Sequence, residues 1–247
     1  MQERIFLAGA TGAIGTALIP LLRAAGYEVY GSTRHADRAA RLETAGVHPV
    51  VVDVFDAEAL AVALMRIRPA SIMHQLTDLA TLHDPARAAE TARRNARIRE
   101  TGTRNLVHAA SQAGAVGMVA QSINWIYAPD APRPCDETAP LDLNATGDRR
   151  VSVLGAAALE RQVLQAPGLR GTVLRYGRLY GPGTGVKARP VSNGLHVNEA
   201  ARAALAALRY TGGGVFNIAE DEVEVSCARA HAMLGWRPAG AAPAGAG

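Results

Sequence analysis

Short unbroken apolar runs alternate along this chain with longer segments in which apolar positions recur every three or four residues. The first run is "RIFLAG", and helical spacing follows it from about Ala13 to Ala25. "EVYGSTR", "HPVVVDVFD", "ASIMHQL", "VGMVAQS", "GTVLRY" and "GVFNIA" read as further strands, which makes seven. Runs this short and this apolar suit strands covered on both faces. Between them, "ADRAARLETAG", "AEALAVALMRI", the stretch from about Ala86 to Ala113 and "VSVLGAAALERQVLQ" carry helical spacing. Such alternation builds βαβ units. The predicted fold class is therefore α/β, a doubly wound parallel sheet with right-handed crossovers. No segment repeats at a fixed period. From Ala239 the chain reads "AGAAPAGAG", a low-complexity composition that predicts a disordered tail over 239–247.

Length adds that 247 residues suit one large α/β domain. The formal net charge is +4, but the basic residues are scattered and have no interleaved aromatics, so nucleic acid is not an expected partner. Lys187 is the sole lysine, and every other basic side chain besides histidine is arginine. Any mechanism that needs a lysine therefore has one candidate. Cys135 and Cys227 form no CxxC pair. The chain enters its first strand directly, with no secretory signal, so both read as free thiols of a cytoplasmic protein. No apolar run reaches the roughly 18 residues that span a bilayer, so no membrane partner is expected. No metal site is expected.

The first strand runs into "GATGAIG", with glycines at Gly9, Gly12 and Gly15. Gly9 would permit a tight turn, Gly12 a close backbone approach to a pyrophosphate, and Gly15 close packing of the helix. Thr11, Ala13 and Ile14 complete the turn, whose free N–H groups would face the phosphates. The context of strand, glycine turn and helix is that of a dinucleotide site. The second strand ends in "GSTRHADR", where an acidic residue would bind the ribose 2′-hydroxyl of NAD. Arg34 stands there instead, with Arg38 nearby, and a guanidinium suits a 2′-phosphate. NADP(H) is therefore favoured over NAD(H). Asp53, followed by Val54, is placed for the adenine amino group. "HQLT", which contains His74 and Leu76, would border the nicotinamide-side ribose.

Five ordered motifs resemble the extended and atypical branches of the short-chain dehydrogenase/reductase superfamily, within its NAD-dependent epimerase/dehydratase group. They are "GATGAIG", "VVVDVFD", "ETGTRNLVHAA", "LRYGRLYGPGTG" and "GLHVNEAARAALAAL". The resemblance implies a Rossmann-type sheet with a smaller C-terminal substrate part. That part is reduced here, because few residues separate "YGPGTG" from "GLHV". The expected organisation is one domain over 1–238, with a small cap drawn from about 178–200 and 219–238. The long helices near 86–113 and 151–166 are where members of this group often dimerise, so a homodimer is possible.

The resemblance also implies a Tyr-x-x-x-Lys pair on one helix and a Ser or Thr at the end of the fifth strand. Lysine lowers the tyrosine pKa, and tyrosine relays the proton. In this chain the pair falls at about Ser152 and Ala156, and no tyrosine anywhere is followed by lysine four residues later. In "AQSINWIYAP" the second serine of the pattern falls on Ile123. Ser122 matches the first serine and Tyr127 the family tyrosine, so Tyr127 is the candidate proton donor and Ser122 its partner. Asn124, Trp125 and Arg178 are candidate substrate contacts. Trp236 and Tyr180 are further candidates for the pocket wall. His196 reads as a helix-start residue. The expected function is an NADP(H)-binding reductase or epimerase acting on a small molecule through a non-standard proton relay. A non-redox cyclase, isomerase or dehydratase, or a non-catalytic NADP(H) sensor, stays open.

Overall fold

A computed structural model describes residues 2–78 and 85–239; the tail expected beyond Ala239 lies outside the described residues. Seven parallel strands form the main sheet. They are β1 (Arg4–Ala8), β2 (Glu28–Thr33), β3 (His48–Val51), β4 (Ser71–His74), β5 (Gly117–Ile123), β6 (Arg170–Tyr176) and, after two short strands, β9 (Gly214–Ile218). Their order is β3-β2-β1-β4-β5-β6-β9. The chain therefore winds outward from β1 in one direction and from β4 in the other. That switch point opens a crevice at the carboxyl ends of the strands, where such sheets bind ligands.

Side chains alternate along each strand between two cores. On β1, Ile5 and Leu7 join one apolar cluster, and Phe6 and Ala8 join the other. The first cluster is covered by α1 (Ala13–Ala24) and α7 (Val197–Arg209), the second by α3 (Ala57–Ile67), α5 (Thr103–Ala113) and part of α6 (Gly147–Leu164). The short α2 (Ala39–Thr44) packs Leu42 at the edge. Ala200, Ala201, Ala203, Ala204 and Ala207 face inward from α7, and such small side chains let a helix lie close to the sheet.

The long helix expected near 86–113 is present but interrupted. Here α4 (Ala88–Arg97) passes through a π-helical turn, Ile98–Gly102, into α5. π-turns carry an extra residue and often sit at functional sites. α4 packs beside α6 so closely that a Cβ on Gly155 would lie 2.8 Å from the Cα of Ala96. The small-residue face of "LGAAALE" is thus used within the chain, between α6 and α4.

Two strands escaped the sequence reading: β7 (Arg178–Tyr180) and β8 (Gly194–His196), which pair in parallel as a separate ribbon. Three residues are too few for a period of two to declare itself.

Candidate active site

At the switch point, β1 turns sharply into α1. Gly9 has φ +87°, and a Cβ there would lie 2.7 Å from the Gln75 carbonyl oxygen. A Cβ on Gly15 would lie 2.2 Å from the carbonyl oxygen of Gly9. Both positions therefore need glycine, one for conformation and closeness and one for closeness alone. Gly12 caps α1 in an extended conformation; no side chain caps that end, and no acid lies in the first turn. The free N–H groups of that turn remain available to an anion.

A cleft of about 290 Å³ opens over this turn. Nine of the ten sequence-selected cofactor residues line it: Gly9, Thr11, Gly12, Ala13, Ile14, Arg34, Asp53, Val54 and Leu76. Gly15 lies behind the turn and supports it. Arg34, His35 and Arg38 gather at the β2 end of the cleft. Arg34 donates from Nε to Nε2 of His35 at 3.2 Å. Asp53, also on the cleft wall, accepts from the N–H of Phe55 at 2.9 Å, which fixes its carboxylate. A backbone cradle that no Cβ could enter, uncapped N–H groups and a basic end together fit a phosphorylated dinucleotide.

A second, larger pocket of about 740 Å³ adjoins the first and shares Thr77, Gln121 and Leu179 with it. Trp125, Ile123, Leu179, Val186 and Pro190 give it apolar walls. Ser152 and Ile123, the positions at which the resemblance places the tyrosine and the second serine, both line it. Ala156 is buried in the core, and Lys187 is exposed on a loop. Of the two segments expected to supply a cap, the first reaches this pocket. The second supplies none of its wall; Glu224 and Val225 border a separate cavity of about 190 Å³.

Of the two catalytic candidates, Ser122 reaches the larger pocket and Tyr127 does not. Tyr127 is 2 % exposed and lines neither the cleft nor the larger pocket. Its hydroxyl donates to Oδ1 of Asn217 at 2.6 Å and accepts from Nη1 of Arg175 at 2.7 Å. Burial pushes its pKa up to about 12 despite the opposing pull of Arg175 and Asn217. Ser122 borders the pocket, but its hydroxyl donates to Oε1 of Glu160 at 2.7 Å. Glu160 in turn accepts from Nε and Nη2 of Arg175 at 2.9 and 2.7 Å. Tyr127, Ser122, Glu160, Arg175 and Asn217 thus form one closed polar network under β5, β6 and β9. Isolated strand ends cannot reveal such a network, because its members come from distant parts of the chain.

The substrate candidates separate in the same way. Trp125 and Arg178 line the larger pocket, with Arg178 at the exposed rim. Asn124 is buried, and its side-chain amide forms a reciprocal pair with that of Asn193. Trp236 is buried in the core and donates to the carbonyl of Glu199 at 3.2 Å. Tyr180 packs edge-on against His196 and donates to Glu220. His196 caps α7 through its side chain. His74 is wholly buried: Nδ1 accepts from the Leu76 N–H, and Nε2 bonds Thr103 Oγ1 at 3.0 Å. Burial, with Arg99 adding to it, lowers its pKa to about 4, so it is a neutral structural group.

The sequence reading missed Gln121 and Arg99 and covered Gln75 only as part of "HQLT". Gln75 and Gln121 are buried with side-chain carbonyl oxygens that have no partner among the described residues. Gln121 sits where the two cavities meet. Arg99 lies on the π-turn and borders the larger pocket. A signal for Arg99 existed: it continues the helical stripe Ala92, Asn95, Ala96, Gly102, Leu106, which is otherwise small or apolar apart from one asparagine.

The geometry has relatives. A family model described as NAD dependent epimerase/dehydratase family matches residues 5–194. A Streptomyces protein, 3-diazoavenalumate denitrifying reductase, is 38 % identical over 240 residues, spanning 89 % of this chain and 76 % of that one. Among solved structures, UDP-glucose 4-epimerase from Thermotoga maritima with UDP-glucose superposes with a TM-score of 0.75 at 18 % identity, covering 96 % of this chain and 94 % of that one. The Thermus thermophilus UDP-glucose 4-epimerase complex with NAD gives 0.71 at 21 % identity, again covering 96 % and 94 %. At such identities the two epimerases speak for the fold alone.

Proposed function

The chain belongs to the NAD-dependent epimerase/dehydratase family, and from that premise we propose that it is an NADP(H)-dependent reductase of a small organic molecule, working without a tyrosine–lysine proton relay. One observation carries this reading. The dinucleotide cradle is complete, while the adjoining pocket presents Ile123 and Ser152 where a relay would stand. The sole lysine is exposed on a loop and does not itself line the pocket, although its neighbour Val186 does. A carbonyl reductase must protonate the oxygen it reduces. A substrate whose reduction leaves no oxygen anion needs no such donor.

The Streptomyces relative, named for a diazo compound and its denitrifying reduction, supports that class of substrate. When bound, the reduced nicotinamide supplies a hydride. An aromatic carbon bearing a diazonium group that gains one releases dinitrogen (Ar–N2⁺ + H⁻ → Ar–H + N2). Here the chain's own residues would orient and exclude water. Gly9, Gly12 and the first turn of α1 hold the dinucleotide. Ile123 and Trp125 form an apolar wall against the reacting end. Tyr127 and Ser122 keep β5, β6 and α6 in register through Glu160 and Arg175.

The NADP(H) preference rests on Arg34, His35 and Arg38 at the ribose end of the cleft. A cytoplasmic setting rests on the buried free thiols Cys135 and Cys227. No described helix is long and apolar enough to cross a membrane. The homodimer is retained as an expectation for the outer faces of α4 and α6, and sedimentation would test it.

The test is anaerobic NADPH oxidation with an aromatic diazo compound, compared with aldehydes and ketones of similar size. One dinitrogen released per NADPH consumed supports the reading. Turnover on carbonyls alone overturns it. Substrate conversion with no net NADPH loss would favour the epimerase alternative.

A further inference from the structure

Buried charges in folded proteins are paired, because removing a lone ion from water costs several kcal/mol. Beneath the larger pocket two arginines are buried within reach of one carboxylate. Arg175 is 4 % exposed and holds Glu160 through two nitrogens. Glu160 also accepts from Ser122, so both of its oxygens are engaged. Arg99 is 7 % exposed and lies near enough to Glu160 to feel its charge, yet forms no ion pair with it. Its one hydrogen bond runs from Nη1 to the carbonyl of Ser152, at a long 3.3 Å. The guanidinium otherwise borders the pocket. Burial pulls its pKa down to about 10, against the opposing effect of Glu160.

Two other arginines reach the same pocket and differ from Arg99. Arg149 is committed to Asp142 at 2.6 Å and to the carbonyls of Trp125 and Tyr127. Arg178 is exposed at the rim, where solvent screens it. Arg99 is therefore the cation without an ion-pair partner among the described residues, at the depth where an ion pair is strongest. It projects from the π-turn against α6 beside Ser152, in a cavity whose apolar wall includes Trp125, Leu179, Val186 and Pro190 and whose other charged lining residues are Asp148, Arg149 and Arg178.

We propose that Arg99 is the specificity-determining residue of this pocket and that it binds an oxyanion, carboxylate or phenolate, on a substrate with an apolar planar body. This rests on the reading above that the pocket holds the substrate, but not on which bond is reduced. The planar guanidinium suits a two-point hydrogen bond to such an anion. The apolar walls suit a conjugated body packed against Trp125.

The test is calorimetric binding to the NADP⁺-loaded protein, with no turnover involved. Cinnamate offers only a carboxylate, 4-nitrophenolate only a phenolate, and cinnamamide neither. At least one anion should bind. Its affinity should fall at least about tenfold in Arg99→Met and by less in Arg99→Lys, as expected for a charge-assisted hydrogen bond. Cinnamamide affinity should not change. Which anion responds identifies the oxyanion. NADP⁺ affinity and the thermal midpoint confirm that each variant is folded. The proposal is overturned if neither anion binds the wild type, if cinnamamide binds as tightly as both anions, or if Arg99→Met leaves anion affinity unchanged. Anion binding through Arg99 together with absent NADPH oxidation would leave this inference standing and remove the reductase reading.

Discussion

Arg175 and Arg99 are buried under the same pocket, and they differ in everything except burial. Arg175 uses all three of its nitrogens: two hold Glu160, and the third donates to Tyr127 and to the carbonyl of Glu137 at 3.2 Å. Its pKa is raised above the ordinary arginine value, since burial, which alone would lower it, is outweighed by Glu160 and Tyr127. Arg99 has one long hydrogen bond and a lowered pKa. The same side chain thus serves as scaffold in one place and as an open recognition group in the other. What decides is whether the fold supplies the counter-charge.

The comparison breaks most readily at Glu160. Glu160→Gln leaves Arg175 buried without its carboxylate and should cost about 3–5 kcal/mol of unfolding free energy. Arg99→Met replaces an unpaired cation by an apolar side chain and should cost less than about 1 kcal/mol, or stabilise. Urea denaturation of both variants checks the pair. Equal losses would make Arg99 a second scaffold cation.

Next in size is His74, which packs within reach of Arg99's charge. Its folded pKa of about 4 lies below the unfolded value of 6.5. Above pH 6.5 both states are neutral, and the full stability is present. As pH falls from 6.5 to 4 the unfolded chain takes up a proton that the folded chain refuses, so stability declines. The loss amounts to about 3 kcal/mol and levels off below pH 4. His74→Gln should flatten that window in a pH series of denaturation curves. Arg99→Met should narrow it from the low end, because Arg99 is one cause of the depression.

Tyr127→Phe comes third. It removes a hydrogen bond from a charged donor and leaves Oδ1 of Asn217 without this partner, for a loss of about 2 kcal/mol in stability. Turnover on a true substrate should stay within about twofold. A larger fall in kcat without a fall in stability would return Tyr127 to the proton relay.

The two arginines also show what a sequence can and cannot declare. The strand alternation that builds both cores is local, so Ile5 and Phe6 announce their opposite faces at once. The glycine turn is partly local, because Gly9 needs its positive φ and Gly15 meets the carbonyl of Gly9, while the Gln75 carbonyl that crowds Gly9 comes from beyond β4. The ion-pair partner of Arg175 is 15 residues away in sequence, and its tyrosine 48. Nothing near Arg99 in sequence marks it as unpaired. Pairing is a property of the folded neighbourhood, and for that reason Tyr127 and Ser122 looked free on the page when they are bound to each other's network in space.

A third arginine gives the smallest expected effect and the sharpest control. Arg34 lies at the β2 end of the cleft over the glycine turn, exposed, with a lone hydrogen bond to His35. Like Arg99 it has no carboxylate partner among the described residues, but water already solvates it, so its lack of a partner is no strain on the fold. Arg34→Ala should weaken NADP(H) binding about tenfold and leave NAD(H) binding nearly unchanged, the scale of one charge-assisted hydrogen bond in a solvated site. The preference should also shrink as salt is raised from about 0.05 to 0.5 M, since exposed charges are screened. Binding at Arg99 should change far less over the same range, because Arg99 is buried and buried charges are screened less. Equal salt sensitivity at the two sites would mean that Arg99 is as wet as Arg34, and burial would no longer separate them.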